Sequence, residues 1–234
     1  MKLYDIFINF IYNLKKGIKN NKPILSTIKY WPSFFYYNYK NKSTIDMELP
    51  WLTLGAIEFL NRYIKENNTI LEFGSGGSTL YFSSKAKEVV SIEHDKEWYK
   101  CVYDLLSKKN IKNVDLILVE GSEINDTTKD IYKSNYGGKF RYLNFFNYVH
   151  KIDKYEDQYF DLILIDGRAR GDALKVSLPK LKLDGILVFD NADRILYKEY
   201  IHNYLLGFKK IIFYGPTFCD LGFSETHIYV NKNN

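Results

Sequence analysis

The sequence predicts an α/β fold: a mostly parallel sheet with an antiparallel last strand, helices on both faces, and an N-terminal helical and aromatic extension. Three observations predict it. From Pro50 onward, short runs rich in Val, Ile, Leu and Phe alternate with helix-length segments, as in a sheet joined by crossover helices. One of these runs, Ile70-Leu71-Glu72-Phe73, ends in the glycine-rich turn Gly74-Ser75-Gly76-Gly77, which opens a helix. Finally, 234 residues with 46% hydrophobic content enclose one substantial core and leave little room for a second full domain.

Residues 1–47 form the extension. They carry eight lysines against Asp5 and Asp46, a net of +6, which leaves −1 for the rest of a chain whose total is +5. Lys2, Asp5, Asn9, Asn13, Lys16 and Asn20 recur at helical spacing as a polar stripe, and Leu3, Phe7, Phe10, Leu14 and Ile18 form the opposing apolar one. An amphipathic helix is expected. Tyr30-Trp31-Pro32-Ser33-Phe34-Phe35-Tyr36-Tyr37-Asn38-Tyr39 follows, flanked by lysines, a composition suited to a membrane interface or an aromatic recognition surface. Residues 1–40 therefore have two readings: peripheral membrane contact, or packing on the domain or on a second subunit, which leaves a homo-oligomer open. Asn9 interrupts the first apolar stretch and no small-residue cleavage site follows, so no signal peptide is read. No run approaches the roughly 20 apolar residues of a membrane-spanning helix. Cys101 and Cys219 lie far apart without metal-ligand spacing, and a reducing cytoplasm fits them best, with the membrane face as an alternative location.

Residues 48–234 form the main domain. A helix is expected over 51–65, then strand 69–73, the glycine turn, helix 78–85, strand 88–93, helix 95–108 and strand 114–119. The segment 121–159 is too long for a plain connector and carries Asn135-Tyr136-Gly137-Gly138, so it is expected to act as a lid or binding loop. Strand 160–166, helix 172–181, strand 185–190 and helix 197–206 follow. Strands 209–214 and 226–231 close the sheet, the last one reversing direction.

The glycine turn lets backbone approach a ligand where a Cβ would obstruct it and exposes helix N-terminal amides, with Ser78 or Thr79 as the cap. The second strand then delivers Glu93, 19 positions after Gly74. In dinucleotide-binding units an acidic side chain about 20 residues on accepts hydrogen bonds from ribose hydroxyls. A nicotinamide dehydrogenase shares that pattern, but the third glycine position holds Thr79 and no sequence is left for a second catalytic domain. Glu72-x-Gly74-x-Gly76 followed by Glu93 resembles the signature of class I S-adenosylmethionine-dependent methyltransferases, which have a Rossmann-like sheet. The resemblance spans roughly residues 50–231. It implies S-adenosyl-L-methionine over the strand tips, with Glu72, Gly74, Ser75, Gly76, Gly77 and Ser78 near its amino-acid part and Glu93 on its ribose. His94 would then flank the adenosine, Ser122 would lie near adenine, and Asp166 would stand beside the cofactor.

Catalytic groups belong at strand C-termini, and two of these are polar: Asp166-Gly167-Arg168-Ala169-Arg170 and Asp190-Asn191-Ala192-Asp193-Arg194. Asp166 and Asp190 are the candidate catalytic residues. Together with Asn191 they could ligate a hard divalent ion such as Mg²⁺, an arrangement similar to catechol-type O-methyltransferases. Those enzymes carry a lysine three positions after the first aspartate, where this chain has Ala169. Without a metal, Asp166 would orient the cofactor or substrate, and Asp190 with Asn191 would cap a loop. Arg168, Arg170 and Arg194 suit carboxylate or phosphate recognition, or ordinary ion pairs.

Leu49-Pro50-Trp51-Leu52-Thr53 and Ser91-Ile92-Glu93-His94-Asp95 resemble bacterial methyltransferases of surface-polysaccharide synthesis, which implies O-methylation of a small polar or glycan-like acceptor. Nucleic acid is disfavoured as a partner, because the positive charge sits in the extension and no proline-containing amino-methylating loop follows Asp166. The alternative is a non-catalytic, methyltransferase-like module that binds the cofactor or a partner.

Overall fold

The computed structural model describes residues 3–124, 132–134, 138–218 and 220–231; Asn135, Tyr136, Gly137 and Cys219, singled out above, lie outside them. In chain order the strands are β1 (Thr69–Phe73), β2 (Glu88–Glu93), β3 (Val114–Leu118), the short β4 (Ser122–Glu123) and β5 (Leu143–Asn144), β6 (Phe160–Ile165), β7 (Leu181–Asp190), β8 (Phe208–Pro216) and β9 (Phe223–Asn231). Seven of them form one sheet in the order β3-β2-β1-β6-β7-β9-β8, and β4 pairs antiparallel with β5. Only β9 runs against its neighbours, inserted between β7 and β8. The order reverses between β1 and β6, and a doubly wound sheet opens a crevice at the carboxyl ends there.

The helices are α1 (Leu3–Lys19), α2 (Leu25–Ile28), α3 (Trp31–Lys40), α4 (Thr44–Met47), α5 (Leu54–Tyr63), α6 (Gly77–Ser83), α7 (Lys96–Lys108), α8 (Phe146–Val149), α9 (Arg170–Ser177) and α10 (Lys198–Leu205). Strand alternation assigns them to two faces. Ile70, Val89, Leu162, Ile186 and Ile228 pack beneath Leu60 of α5 and Phe82 of α6. Leu71, Val90, Ile163, Leu187 and Tyr229 point the other way, onto Tyr148, Leu174 and Leu205 of α8, α9 and α10.

Three expectations change. Helix 172–181 runs instead from Arg170 to Ser177 and passes into a single 3-10 turn at Leu178–Lys180, since Pro179 cannot continue an α-helix; β7 then starts at once. The segment 121–159, expected as a lid or binding loop, is partly core: Phe145, Tyr148, Val149 and Ile152 are fully buried against the sheet. The extension helix α1 is rotated relative to the predicted stripe. It buries Ile6, Phe10, Asn13 and Gly17 and leaves Leu3, Phe7 and Ile18 exposed. Asn13 is buried because its amide serves backbone: Nδ2 donates to Leu221 O at 2.9 Å and Oδ1 accepts from Phe223 N at 3.3 Å. Gly17 is buried because any Cβ there would stand 2.7 Å from Tyr214 and Ile24. Ile6, Phe10 and Phe34 complete the seam against Phe223, so the extension lies on the β8–β9 side of the domain.

Candidate functional site

The turn after β1 is built by glycines meeting backbone. Gly74 has φ +94, a left-handed value that side chains resist, and a Cβ there would stand 3.1 Å from Gly167. Gly167 is the more constrained of the two, since its Cβ would fall 2.1 Å from Tyr148 Oη and 2.9 Å from Phe73 C. The turns ending β1 and β6 therefore interlock, with Asp166 N donating to Phe73 O. Gly77 packs under the extension, where a Cβ would collide with Thr44 O and Leu49 O.

Above these turns lies a cavity of about 450 Å³, lined by Gly74, Ser75, Gly76, Gly77, Ser78, Glu93, His94 and Asp166 among the predicted residues. Glu93 is 2% exposed and saturated with donors: Oε2 accepts from Ser75 N and Oγ, and Oε1 from His94 N and Asp95 N, all within 2.9 Å. Burial pushes its carboxyl up, but hydrogen bonding with His94 and from the Asp95 and Ser75 amides outweighs that and holds it below the usual range. His94 Nδ1 lies 2.8 Å from Glu93 Oε1, and Arg168 Nε donates to His94 Nε2 at 3.0 Å.

Two predicted cofactor residues fall elsewhere. Glu72 is fully buried and does not line the cavity. Its Oε1 accepts from Thr79 Oγ1 and from Ser91 Oγ, while Thr79 Oγ1 accepts from Gly76 N at 2.9 Å, so Glu72 pins the turn from below. Burial raises its carboxyl to about 7, against the lowering effect of the hydroxyls around it. Ser122 is exposed and paired with Asn144, because Gly121 packs tightly on Leu143 and carries the chain into β4. Phe140 takes the vacated wall, with its ring 4.6 Å from that of His94. Thr44, Trp51, Asp95, Trp98, Gly167, Arg168 and Arg170 complete the lining, and Trp98 Nε1 donates to Ser75 O at 2.7 Å.

A second cavity, of about 280 Å³, shares Trp51, Asp166 and Arg170 with the first and adds Asp190, Asn191, Arg194, Thr217, Asp220 and Ser224. Asp166 and Asp190 do come together here, but around a guanidinium. Arg170 Nη2 donates to Asp166 Oδ1 at 2.7 Å, and Nη1 lies 3.6 Å from Asp190 Oδ2 and donates to Asp190 O at 2.6 Å. Asp190 Oδ1 accepts from Thr226 Oγ1, and Asn191 Nδ2 donates to Ser224 Oγ. The predicted Mg²⁺ set of Asp166, Asp190 and Asn191 does not fit a divalent ion: a buried arginine already supplies the positive charge between the carboxylates and would repel a second cation. Among the described residues no group of three or more His, Cys, Asp or Glu side chains is arranged to hold a metal. Burial pushes the Asp166 carboxyl up to about 7, with Arg170 opposing the rise and Asp190 adding to it.

The sheet order, the antiparallel β9 and the crevice over β1 define a Rossmann-like methyltransferase fold, and solved structures share it. SMU.1697c of Streptococcus mutans, described as a methyltransferase and solved with SAH, is 16% identical with a TM-score of 0.51, over 81% of this chain and 98% of its own. An rRNA methylase of Streptococcus thermophilus is 15% identical with a TM-score of 0.51, over 74% and 92% of the two chains. A protein of Clostridium thermocellum described as an rRNA methylase gives 15% and 0.51, over 77% and 97%. At such identities the likeness is one of fold. No family model and no curated protein sequence matches the chain.

Proposed function

We propose that the protein is an S-adenosylmethionine-dependent methyltransferase acting on a hydroxyl of a small polar or glycan-like acceptor. The observation that carries this reading is the position of Asp166, whose carboxyl lines both cavities with its pKa raised to about 7. A general base is most effective when its pKa lies near the working pH.

The first cavity suits the cofactor in size, since ligand pockets typically span about 300–1,000 Å³. It also suits it in shape, because Gly76 has no Cβ and leaves backbone open beside the Trp98 ring. Glu93 would hold the ribose, a ribose hydroxyl displacing Ser75 Oγ at Glu93 Oε2. Trp98, Phe140 and His94 would wall the adenosine. The bound cofactor supplies a methyl group activated on a sulfonium. In the second cavity Arg194, Asn191, Asp220 and Ser224 offer both donors and acceptors, as a polyhydroxylated ring requires, and the volume suits about one ring. Trp51, shared by both cavities, would align the acceptor hydroxyl for in-line attack. Asp166 would take the hydroxyl proton as the acceptor oxygen receives the methyl group, with S-adenosylhomocysteine as the leaving group and a methyl ether as the product. Arg170 keeps Asp166 oriented, and no metal is required.

The test is transfer from methyl-labelled S-adenosylmethionine to monosaccharides, nucleotide sugars, catechols and ribosomal RNA, with and without a chelator. Labelled sugar ethers unaffected by chelation are expected. Transfer to RNA alone, or dependence on metal, would contradict the acceptor class or the role of Arg170. Cofactor binding without transfer to any acceptor would favour the non-catalytic module.

A further inference from the structure

The outer side of α1 is an apolar face that is largely exposed among the described residues. With 3.6 residues per turn, the buried seam of Ile6, Phe10, Asn13 and Gly17 occupies one side of the helix. Next to it, Leu3, Tyr4, Phe7, Ile8, Tyr12 and Ile18 are each between 44% and 71% exposed. In α2, Leu25 and Ile28 are also exposed, at 85% and 50%. Lys15 and Lys19 project within the same sector, and the helix's only acid, Asp5, lies at its edge, one heptad before Tyr12.

We infer that this face docks onto an anionic lipid surface. Single exposed apolar side chains are ordinary, but a contiguous set on one helix marks an interface. Charge decides the partner. Residues 1–47 carry a net of +6. A second copy meeting this face would bring one extension of net +6 against another, whereas anionic headgroups neutralise that charge. The side-chain chemistry also matches the depth of a bilayer interface: aliphatic groups and Phe7 enter the acyl boundary, Tyr4 and Tyr12 sit at headgroup level, and the lysines extend to phosphate. The binding is peripheral, as no helix among the described residues is long and apolar enough to cross a membrane. The inference stands apart from the catalytic reading, because none of these side chains lines either cavity.

The test is co-sedimentation of the full-length protein with vesicles of equal parts phosphatidylglycerol and phosphatidylcholine, against phosphatidylcholine alone. Partitioning onto the anionic vesicles is expected, weakening as salt is raised. A Leu3→Ser/Ile18→Ser variant and a Lys15→Glu/Lys19→Glu variant should each lose more than about tenfold in partitioning, with unchanged thermal melting because the altered positions are exposed. Indifference of the wild-type protein to lipid charge or to salt overturns the inference without relying on any variant. Equal partitioning of wild type and both variants overturns it too, as does a stable dimer in light scattering that the apolar substitutions dissolve.

Discussion

The two cavities meet at Asp166 but are built in opposite ways. The crevice over β1 and β2 is rigid: glycine turns interlock, Glu93 accepts four donors, and Glu72 Oε1 is held beneath the turn by two hydroxyls. The cavity over β6 and β7 is a charge balance of two carboxylates around one guanidinium, open to groups from three distant parts of the chain. The difference suggests a division of labour. Under the proposed function a fixed cofactor would meet a fixed surface, while proton transfer would use a carboxylate whose charge can change.

The largest expected effect lies in the charge balance. Asp166→Asn should lower transfer by about two to four orders of magnitude, the usual value of a general base, while S-adenosylhomocysteine affinity stays within a few-fold. In the wild type the rate should rise with pH and level off above about 7, because the base works only when deprotonated. The stability effect has the opposite sign. Asp166 holds its proton more tightly folded than unfolded, so its stabilising contribution is complete below the unfolded pKa and is lost as pH rises through about 7. Parallel rate profiles for the wild type and the variant would remove the distinction between the two cavities.

Next in size is the rigid side. Gly167→Ala should cost roughly 1–3 kcal/mol of stability and weaken cofactor binding, since its Cβ meets Tyr148 Oη and the Phe73 carbonyl carbon. Denaturant titration would measure the first and calorimetry the second; a neutral result would show that the turns are not interlocked. The smallest effect is the sharpest. Ser75→Ala removes the hydroxyl that competes for Glu93 Oε2, so cofactor affinity should improve by a few-fold, in line with one hydrogen bond of about 1 kcal/mol. A marked loss of affinity would mean that Ser75 Oγ itself holds the ligand.

The same contrast explains what the sequence made legible. Gly74, Gly76 and Glu93 could be read because they lie within one strand–turn–helix–strand unit, where spacing alone fixes geometry. Thr44, Thr217, Asp220 and Ser224 reach the cavities only through tertiary packing, and no local pattern marks them. Arg170 was visible four residues after Asp166, but a pair of aspartates reads the same whether an arginine or an ion lies between them. In α1, hydrophobicity pointed to Leu3, Phe7 and Ile18, while the actual seam uses Asn13 to cap strand backbone and Gly17 to admit Tyr214. Those roles belong to the partner surface and leave no periodic trace.

The most direct test of the central claim is isothermal calorimetry of the purified protein with S-adenosylhomocysteine, alongside Trp98→Ala. Saturable one-to-one binding by the wild type, weakened by roughly tenfold when the indole beside Gly76 is removed, is the predicted result. Absence of binding, or equal affinity in the two proteins, would contradict the assignment of the crevice over β1 as the cofactor site.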